Sequence, residues 1–165
     1  MQVRQVRADE ALAIRALRLR ALADAPTAFE MTFQEEEQAP AEHWVEWARR
    51  GAAGKMSVTF VAVVGAEWCG MAGGFLRRDG ARLDATLFGM WVEPCQRERG
   101  AARQLVEAVA GWARSRGAQR LQLWVTEGNL PARMLYLHTG FIDTGQSQPL
   151  ASRPSLREEL MIRAL

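Results

Sequence analysis

Three strand-like runs follow one another in the middle of the chain, and their spacing restricts the fold more than any other feature. The runs cover Ser57–Val64, Glu67–Leu76 and Ala85–Val92. Gly65-Ala66 separates the first two, and Asp79-Gly80, a hairpin signal, precedes the third. Strands joined by such short turns pair antiparallel, so this region predicts an antiparallel sheet.

After the third run, the pattern changes to alternating helices and strands. Residues 100–116 predict a helix with Leu105, Val109 and Trp112 on one stripe, and Gly117 ends it. Further on, the sequence predicts a strand at 120–125, a short helix at 131–139, a strand from 141, a Pro- and Ser-rich loop at 145–155 and a last strand at 158–163. Strand–helix–strand units favour parallel pairing, so the whole predicts a mixed sheet.

The N-terminal part adds one strand and two helices. Residues 3–6 alternate apolar and polar side chains, as a strand does. The first helix ends at Pro26, and the second begins near Pro40 and ends at Gly51 and Gly54. The predicted order is therefore βααβββαβαββ in an α/β (α+β) fold. Because no linker or repeat divides the chain, we expect one domain over residues 1–165.

Composition and charge exclude several classes of protein. The net charge of +2 is small and clustered Lys is absent, which disfavours nucleic-acid binding. Cys69, Cys95 and the two histidines lack metal-ligand spacing, so we expect no metal site. The charged N-terminus is unlike a signal peptide, and no run approaches the ~18 apolar residues of a membrane span. We therefore expect a cytoplasmic protein that does not bind membranes.

A polar loop between the third strand and the long helix has the properties of an anion site. The first N–H groups of a helix lack partners and carry about half a positive charge. Gly100 allows close approach of the backbone to a ligand, and residues 96–120 hold six Arg against two Glu. A phosphate or pyrophosphate suits such a site. The P-loop and dinucleotide motifs are both missing from the sequence.

Two motifs in this region resemble those of the GNAT acetyltransferase superfamily. Arg97-x-x-Gly100-x-Ala102 resembles the family's pyrophosphate loop, and it follows a strand that ends in Met90-Trp91-Val92-x-Pro94. Asn129-x-x-Ala132-x-x-x-Tyr136-x-x-x-Gly140-Phe141 resembles its second signature. The resemblance identifies residues 85–145 as an acetyl-CoA-binding core, and it implies a splayed central strand pair.

The resemblance also implies roles for individual residues. Backbone groups around Met90, Trp91 and Val92 would hold the pantetheine arm and the thioester carbonyl. Asn129 and Ala132 would contact the cofactor arm, although Asn129 also suits an N-cap. The residues expected at the pyrophosphate, through their backbone N–H groups, are Arg97, Glu98, Arg99, Gly100, Ala101, Ala102 and Arg103.

The implied reaction is direct transfer of an acetyl group from acetyl-CoA to a primary amine. Tyr136 would stand near the sulfur. It would either transfer a proton to the departing thiolate, with its pKa lowered by nearby Arg133, or only donate a hydrogen bond to the sulfur; the alternative is a half-buried aromatic without a catalytic role. For the general base, Glu30 is preferred over Glu93. The alternative function is a catalytically silent acyl-CoA sensor. The acceptor stays open between a small-molecule and a peptide amine, and a homodimer is possible.

One stretch of sequence bears on the acceptor. Residues 21–48, the acidic segment, hold seven Asp or Glu and no Lys or Arg. Such a stretch either forms a solvated helix face or creates a negative field. The second interpretation predicts a preference for cationic amines.

Overall fold

The computed structural model describes residues 1–165 and contains seven strands and five helices. A single 3₁₀ turn at Pro94–Gln96 joins β4 to α4. In chain order the elements are β1 (Gln2–Gln5), α1 (Ala11–Asp24), α2 (Phe33–Glu37), α3 (Ala41–Ala53), β2 (Ser57–Val64), β3 (Glu67–Asp79), β4 (Arg82–Val92), α4 (Ala101–Ser115), β5 (Arg120–Thr126), α5 (Leu130–His138), β6 (Ile142–Leu150) and β7 (Arg153–Ala164).

All seven strands belong to one mixed sheet in the order β1-β2-β3-β4-β5-β7-β6. Every neighbouring pair is antiparallel except β4 and β5, which are parallel. That parallel pairing covers only Asp84–Thr86 against Arg120–Gln122, although both strands continue beyond it. The predicted α/β fold and its splayed central pair are therefore confirmed.

Two parts of the sequence prediction need correction. The prediction missed α2, whose N-terminus is a capping box in which the Thr32 hydroxyl accepts from the N–H of Glu35 and the Glu35 carboxylate accepts from the N–H of Thr32. The predicted loop at 145–155 is instead most of the β6–β7 hairpin. Pro149 is tolerated there because β6 is an edge strand, where a missing N–H removes no central hydrogen bond.

Helices cover the sheet on both faces and give it two buried clusters. On one face, Leu105 of α4 and Tyr136 of α5 share a cluster with Leu123 of β5. On the other, Trp44 of α3 shares a cluster with Met71 of β3, together with residues of α1. The splayed strand pair thus lies between two helical layers. None of the helices has the length and apolar character needed to cross a membrane.

Helix α4 approaches the sheet closely because β3 carries glycine beneath it. A Cβ at Gly74 would lie 2.8 Å from Cγ1 of Val109 and 2.9 Å from Cζ3 of Trp112. Both neighbours are buried in the core, so neither side chain can move aside freely. By contrast, Gly111 on α4 has no heavy atom within 4 Å of its Cβ position.

These two glycines predict substitutions of opposite sign. Gly74→Ala overpacks the α4 interface and is expected to destabilise the protein by about 1–3 kcal/mol. Gly111→Ala is expected to add about 0.5–1 kcal/mol, because alanine loses less backbone entropy in a helix. For a domain of this size, thermal denaturation would show shifts of roughly 2–4 °C per kcal/mol. Equal shifts for the two variants would contradict this packing.

Candidate active site

The loop that joins β4 to α4 presents a continuous row of free backbone donors. The N–H groups from Glu98 to Arg103 donate to no atom of the chain, and Gln104 is the first residue of α4 whose N–H has a partner, the carbonyl of Gly100. Gly100 has φ +84° and Glu98 has φ +64°, the one positive φ outside glycine. A turn of this kind points successive N–H groups at one spot and forms an anion cradle.

The side chain of Arg97 is occupied within the protein. Its Nε donates to the carbonyl of Val92 at 2.9 Å, and its Nη2 pairs with Asp24. The indole of Trp91 donates to the same carboxylate at 2.9 Å, and these two contacts lower the pKa of Asp24. Arg97 therefore ties the end of β4 to the end of α1, and its own N–H donates to Pro94 at 3.3 Å.

Positive charge at the donor row comes instead from Arg99 and Arg103. Both side chains are exposed and neither forms an ion pair in the chain. Of the residues expected at the pyrophosphate, those from Glu98 to Arg103 have free backbone N–H groups, whereas the N–H of Arg97 is already bonded to Pro94. Arg99 and Arg103 also have unpaired guanidinium groups.

Beyond Thr86 and Gln122, the last part of β4 has no strand paired with it on the β5 side. A bulge places Ala72 of β3 opposite both Gly89 and Met90, and Gly89 has φ +62°. Trp91 is buried among residues of the α1–α3 face, and Val92 is buried against α4. Backbone groups of Met90 to Val92 on the open side are therefore held rigidly while lacking a strand partner.

Helix α5 follows β5, and its Tyr136 lies in the same buried cluster as Val92 at the end of β4. The carboxamide oxygen of Asn129 caps the helix by accepting from the N–H of Ala132 at 3.3 Å. Tyr136 is 5% exposed, packs edge-on against Phe141 at 5.7 Å between ring centroids, and its hydroxyl bonds to no group of the chain. Burial raises the pKa of Tyr136 above its ordinary value.

The suggestion that Arg133 lowers the pKa of Tyr136 is wrong. Arg133 pairs with Asp143 and Glu159, at 2.6 Å each, and these carboxylates hold its charge on the outer side of α5. Tyr136 is consequently a neutral phenol with a free O–H.

The segment between α1 and α2 closes the other side of the splay. The hydroxyl of Thr126, at the end of β5, donates to the carbonyl of Thr27 at 2.7 Å, and Ser152 in the β6–β7 turn donates to that of Phe29 at 2.6 Å. Glu30 follows on this anchored segment and is exposed. The structure therefore holds Glu30 near the carboxyl end of β5 and near the turn between β6 and β7.

A buried carboxylate on β7 was missed by the sequence analysis. Glu158 lies opposite Thr126, is 4% exposed, and accepts from Nε2 of Gln148 at 2.7 Å. Burial raises its pKa against the effect of the Gln148 hydrogen bond, and the charge of Glu30 raises it further. The alternation along β7 gives no signal for this burial, because the strand's fully buried residue is Met161, on the opposite face, and Leu160 and Ile162 on the face of Glu158 are only half-buried.

Fewer carboxylates of the acidic segment are free to attract a cationic amine than the sequence suggests. Four of its seven acids already have partners within the protein. These are Asp24 with Arg97, Glu35 in its capping box, Glu36 with Arg18, and Glu46 with Arg49 and Arg50. Of the three acids left without such a partner, Glu30, Glu37 and Glu42, Glu30 lies on the segment anchored at the end of β5. The structure contains no group of three or more His, Cys, Asp or Glu side chains that could hold a metal ion.

Comparison with known proteins places this geometry in a family. Residues 19–141 match the acetyltransferase (GNAT) family model. A search of curated proteins found no significant match. Among solved structures, a GNAT-family acetyltransferase from Streptococcus pneumoniae is 19% identical, with 99% of each chain covered and a TM-score of 0.80. The acetyltransferase yncA from Salmonella typhimurium, solved with acetyl-CoA, is 16% identical, covering 100% of this chain and 94% of its own, with a TM-score of 0.78.

A third similar structure is the PaiA N-acetyltransferase from Thermoplasma acidophilum in complex with coenzyme A. It is 12% identical, with 99% of this chain and 98% of that chain covered, and a TM-score of 0.77. The family model spans well over half of the sequence. The chain belongs to the GNAT acetyltransferase family.

Proposed function

We propose that this protein is an N-acetyltransferase that uses acetyl-CoA as co-substrate and transfers the acetyl group directly to a primary amine. The observation that carries the proposal is the row of free N–H groups from Glu98 to Arg103, which follows the unpaired end of β4 after one 3₁₀ turn. The two solved structures similar to this one that contain acetyl-CoA or coenzyme A add support.

In this proposal the backbone binds the co-substrate. The pyrophosphate accepts hydrogen bonds from the donor row, with Arg99 and Arg103 beside it. The pantetheine arm extends along Met90 to Val92, where it supplies the strand partner that β4 lacks, and Asn129 and Ala132 flank it. Acetyl-CoA brings an activated thioester, so the protein has only to place it, protect it from water and manage protons.

Proton transfer requires a base, because a free amine with a pKa near ~10 is mostly protonated at pH 7. We propose Glu158 as that base and Glu30 as the neighbouring charge that attracts the ammonium group. Glu158 combines burial with a raised pKa, as a general base does, whereas Glu30 is exposed to solvent. This assignment revises the sequence-based preference for Glu30.

In the transfer step, the amine nitrogen forms a bond to the acetyl carbon as the carbon–sulfur bond breaks. The amine proton passes to the base, and the electron pair of the broken bond stays on sulfur. Tyr136 donates a hydrogen bond to that thiolate. Its raised pKa makes complete proton transfer to the thiolate, whose conjugate thiol has a pKa of ~8.5, still less favourable, so a hydrogen bond is the better description.

An acyl-CoA sensor without activity is the second candidate, and the free hydroxyl of buried Tyr136 with the Glu30–Glu158 pair favours the enzyme. The deciding experiment measures release of the coenzyme A thiol from acetyl-CoA in the presence of a panel of primary amines. Release that depends on both reactants supports transfer. Tight acetyl-CoA binding with no release for any amine would support the sensor instead.

The proposed hydrogen bond predicts the effect of Tyr136→Phe. Loss of a hydrogen bond to a charged group costs about 1.5–3 kcal/mol, so kcat is expected to fall by roughly 10- to 150-fold. The Kd for acetyl-CoA and the Tm should stay nearly constant, because the ring still packs on Phe141. If the variant keeps full kcat when chemistry limits turnover, Tyr136 is a packed aromatic without a catalytic role.

The proposed base predicts a pH-dependent effect of Glu158→Gln. At pH 7 we expect kcat/KM to fall by about 10²- to 10⁴-fold, because the amine has lost its proton acceptor. The deficit should shrink as the pH rises towards the amine pKa near ~10, where neutral amine is abundant. Glu127→Gln, which changes an exposed carboxylate without a side-chain partner, is the matched control. A loss that is constant over pH, or shared by the control, would rule out Glu158 as the base.

A further inference from the structure

Three side-chain polar atoms that have neither a hydrogen-bond partner nor contact with solvent lie in one place, between the first three helices. They are Nη1 of Arg18, Oε2 of Glu36 and Nε1 of Trp44. Buried polar groups in folded proteins almost always have partners, so a cluster of unpartnered ones needs an explanation. One of the three, Arg18, reaches the bulge of β4.

The guanidinium of Arg18 is fixed from two sides. Its Nε and Nη2 donate to the same oxygen of Glu36 at 3.3 and 3.1 Å. The group lies over the ring of Phe29 at 4.6 Å and near that of Trp47 at 5.7 Å, measured from Cζ to the centroids. With Arg18 only 6% exposed, the donor that remains free, Nη1, has a defined position.

That position is beside the proposed reaction site. Nη1 of Arg18 is 3.8 Å from where a Cβ of Gly89 would stand, and apart from Gly89 and its chain neighbours no other heavy atom lies within 4 Å of that point. Gly89 directly precedes the Met90–Val92 segment proposed to hold the thioester. A substrate oxygen next to the attacking amine could therefore accept from Nη1.

The surrounding charges favour an uncharged oxygen over a carboxylate. Glu36 neutralises Arg18 at hydrogen-bonding distance, and the charge of Glu30 also acts on Arg18. With Glu158 nearby, the site as a whole is negative and suits an ammonium group. A carboxylate would meet net repulsion there, whereas an amide carbonyl would accept a hydrogen bond at no such cost.

We propose that Arg18 is a specificity-determining residue that donates from Nη1 to an amide carbonyl on the carbon next to the acceptor amine. The acceptors would then be amino-acid amides or peptide N-termini, rather than free amino acids or simple amines. This inference rests on the proposed transfer to amines, and it narrows the acceptor class.

The test compares three matched acceptors: phenylalaninamide, phenylalanine and phenethylamine. Because the basicity of these amines differs, each is compared between wild type and variant. Arg18→Met/Glu36→Gln removes both charges of the pair, which avoids leaving Glu36 buried and unpaired. We expect the ratio of kcat/KM for phenylalaninamide to that for phenethylamine to fall at least tenfold, the size of one lost charge-assisted hydrogen bond. The Tm of each variant verifies folding.

A second variant tests the charge argument and retains Arg18. Glu36→Gln leaves the guanidinium as an uncompensated cation, so the ratio of kcat/KM for phenylalanine to that for phenylalaninamide should rise at least tenfold. Equal effects on all three acceptors, or unchanged ratios in both variants, would overturn the role of Arg18 while leaving amine acetylation intact. No thiol release from any acceptor with the wild type would overturn the proposed function itself.

Discussion

The early end of the pairing between β4 and β5 is the constraint on which the rest of the structure depends. Parallel pairing stops after Thr86 and Gln122, while helices on both faces keep the strands in the sheet. Apart from the carbonyl of Val92, which accepts from Arg97, backbone polar groups at the end of β4 are therefore fixed and unpartnered on one side, a state that proteins avoid unless another molecule completes it. The chain then leads into α4, whose first N–H groups are free because the first turn of a helix has no preceding carbonyls to accept from them.

This arrangement divides the work between backbone and side chains. Acetyl-CoA is proposed to bind mainly main-chain donors, so its recognition needs glycine and local geometry more than particular side chains. The acceptor is proposed to contact side chains from distant parts of the chain: Arg18 on α1, Glu30 on the segment after it and Glu158 on β7. Two hydroxyl contacts, from Thr126 and Ser152, hold that segment over the splay. Changes in these side chains could alter the acceptor without disturbing the binding of the co-substrate.

The local part of this structure could be predicted from the sequence, and the long-range part could not. Hairpin spacing predicted β2 to β4, and the Arg97–Ala102 motif located the donor row, because both depend on residues close in sequence. The pairing of Arg97 with Asp24 joins residues 73 positions apart, which no local pattern indicates. The capping box of α2 was readable but overlooked, since the acidic segment suggested a solvated surface. The burial of Glu158 depends on its neighbours on β5 and β6, Thr126 and Gln148, which lie far from it or across a hairpin in the sequence.

Acetyl-CoA affinity tests the central claim, that free backbone donors at the start of α4 bind the pyrophosphate. Gly100→Val and Gly117→Val place the same side chain at φ +84° and +80°, at opposite ends of α4, so both introduce similar backbone strain. By calorimetric titration, Gly100→Val is predicted to raise the Kd for acetyl-CoA at least tenfold, about 1.4 kcal/mol, because its side chain blocks the donor row. Gly117→Val should bind like the wild type. Equal affinity of the two folded variants would contradict the account.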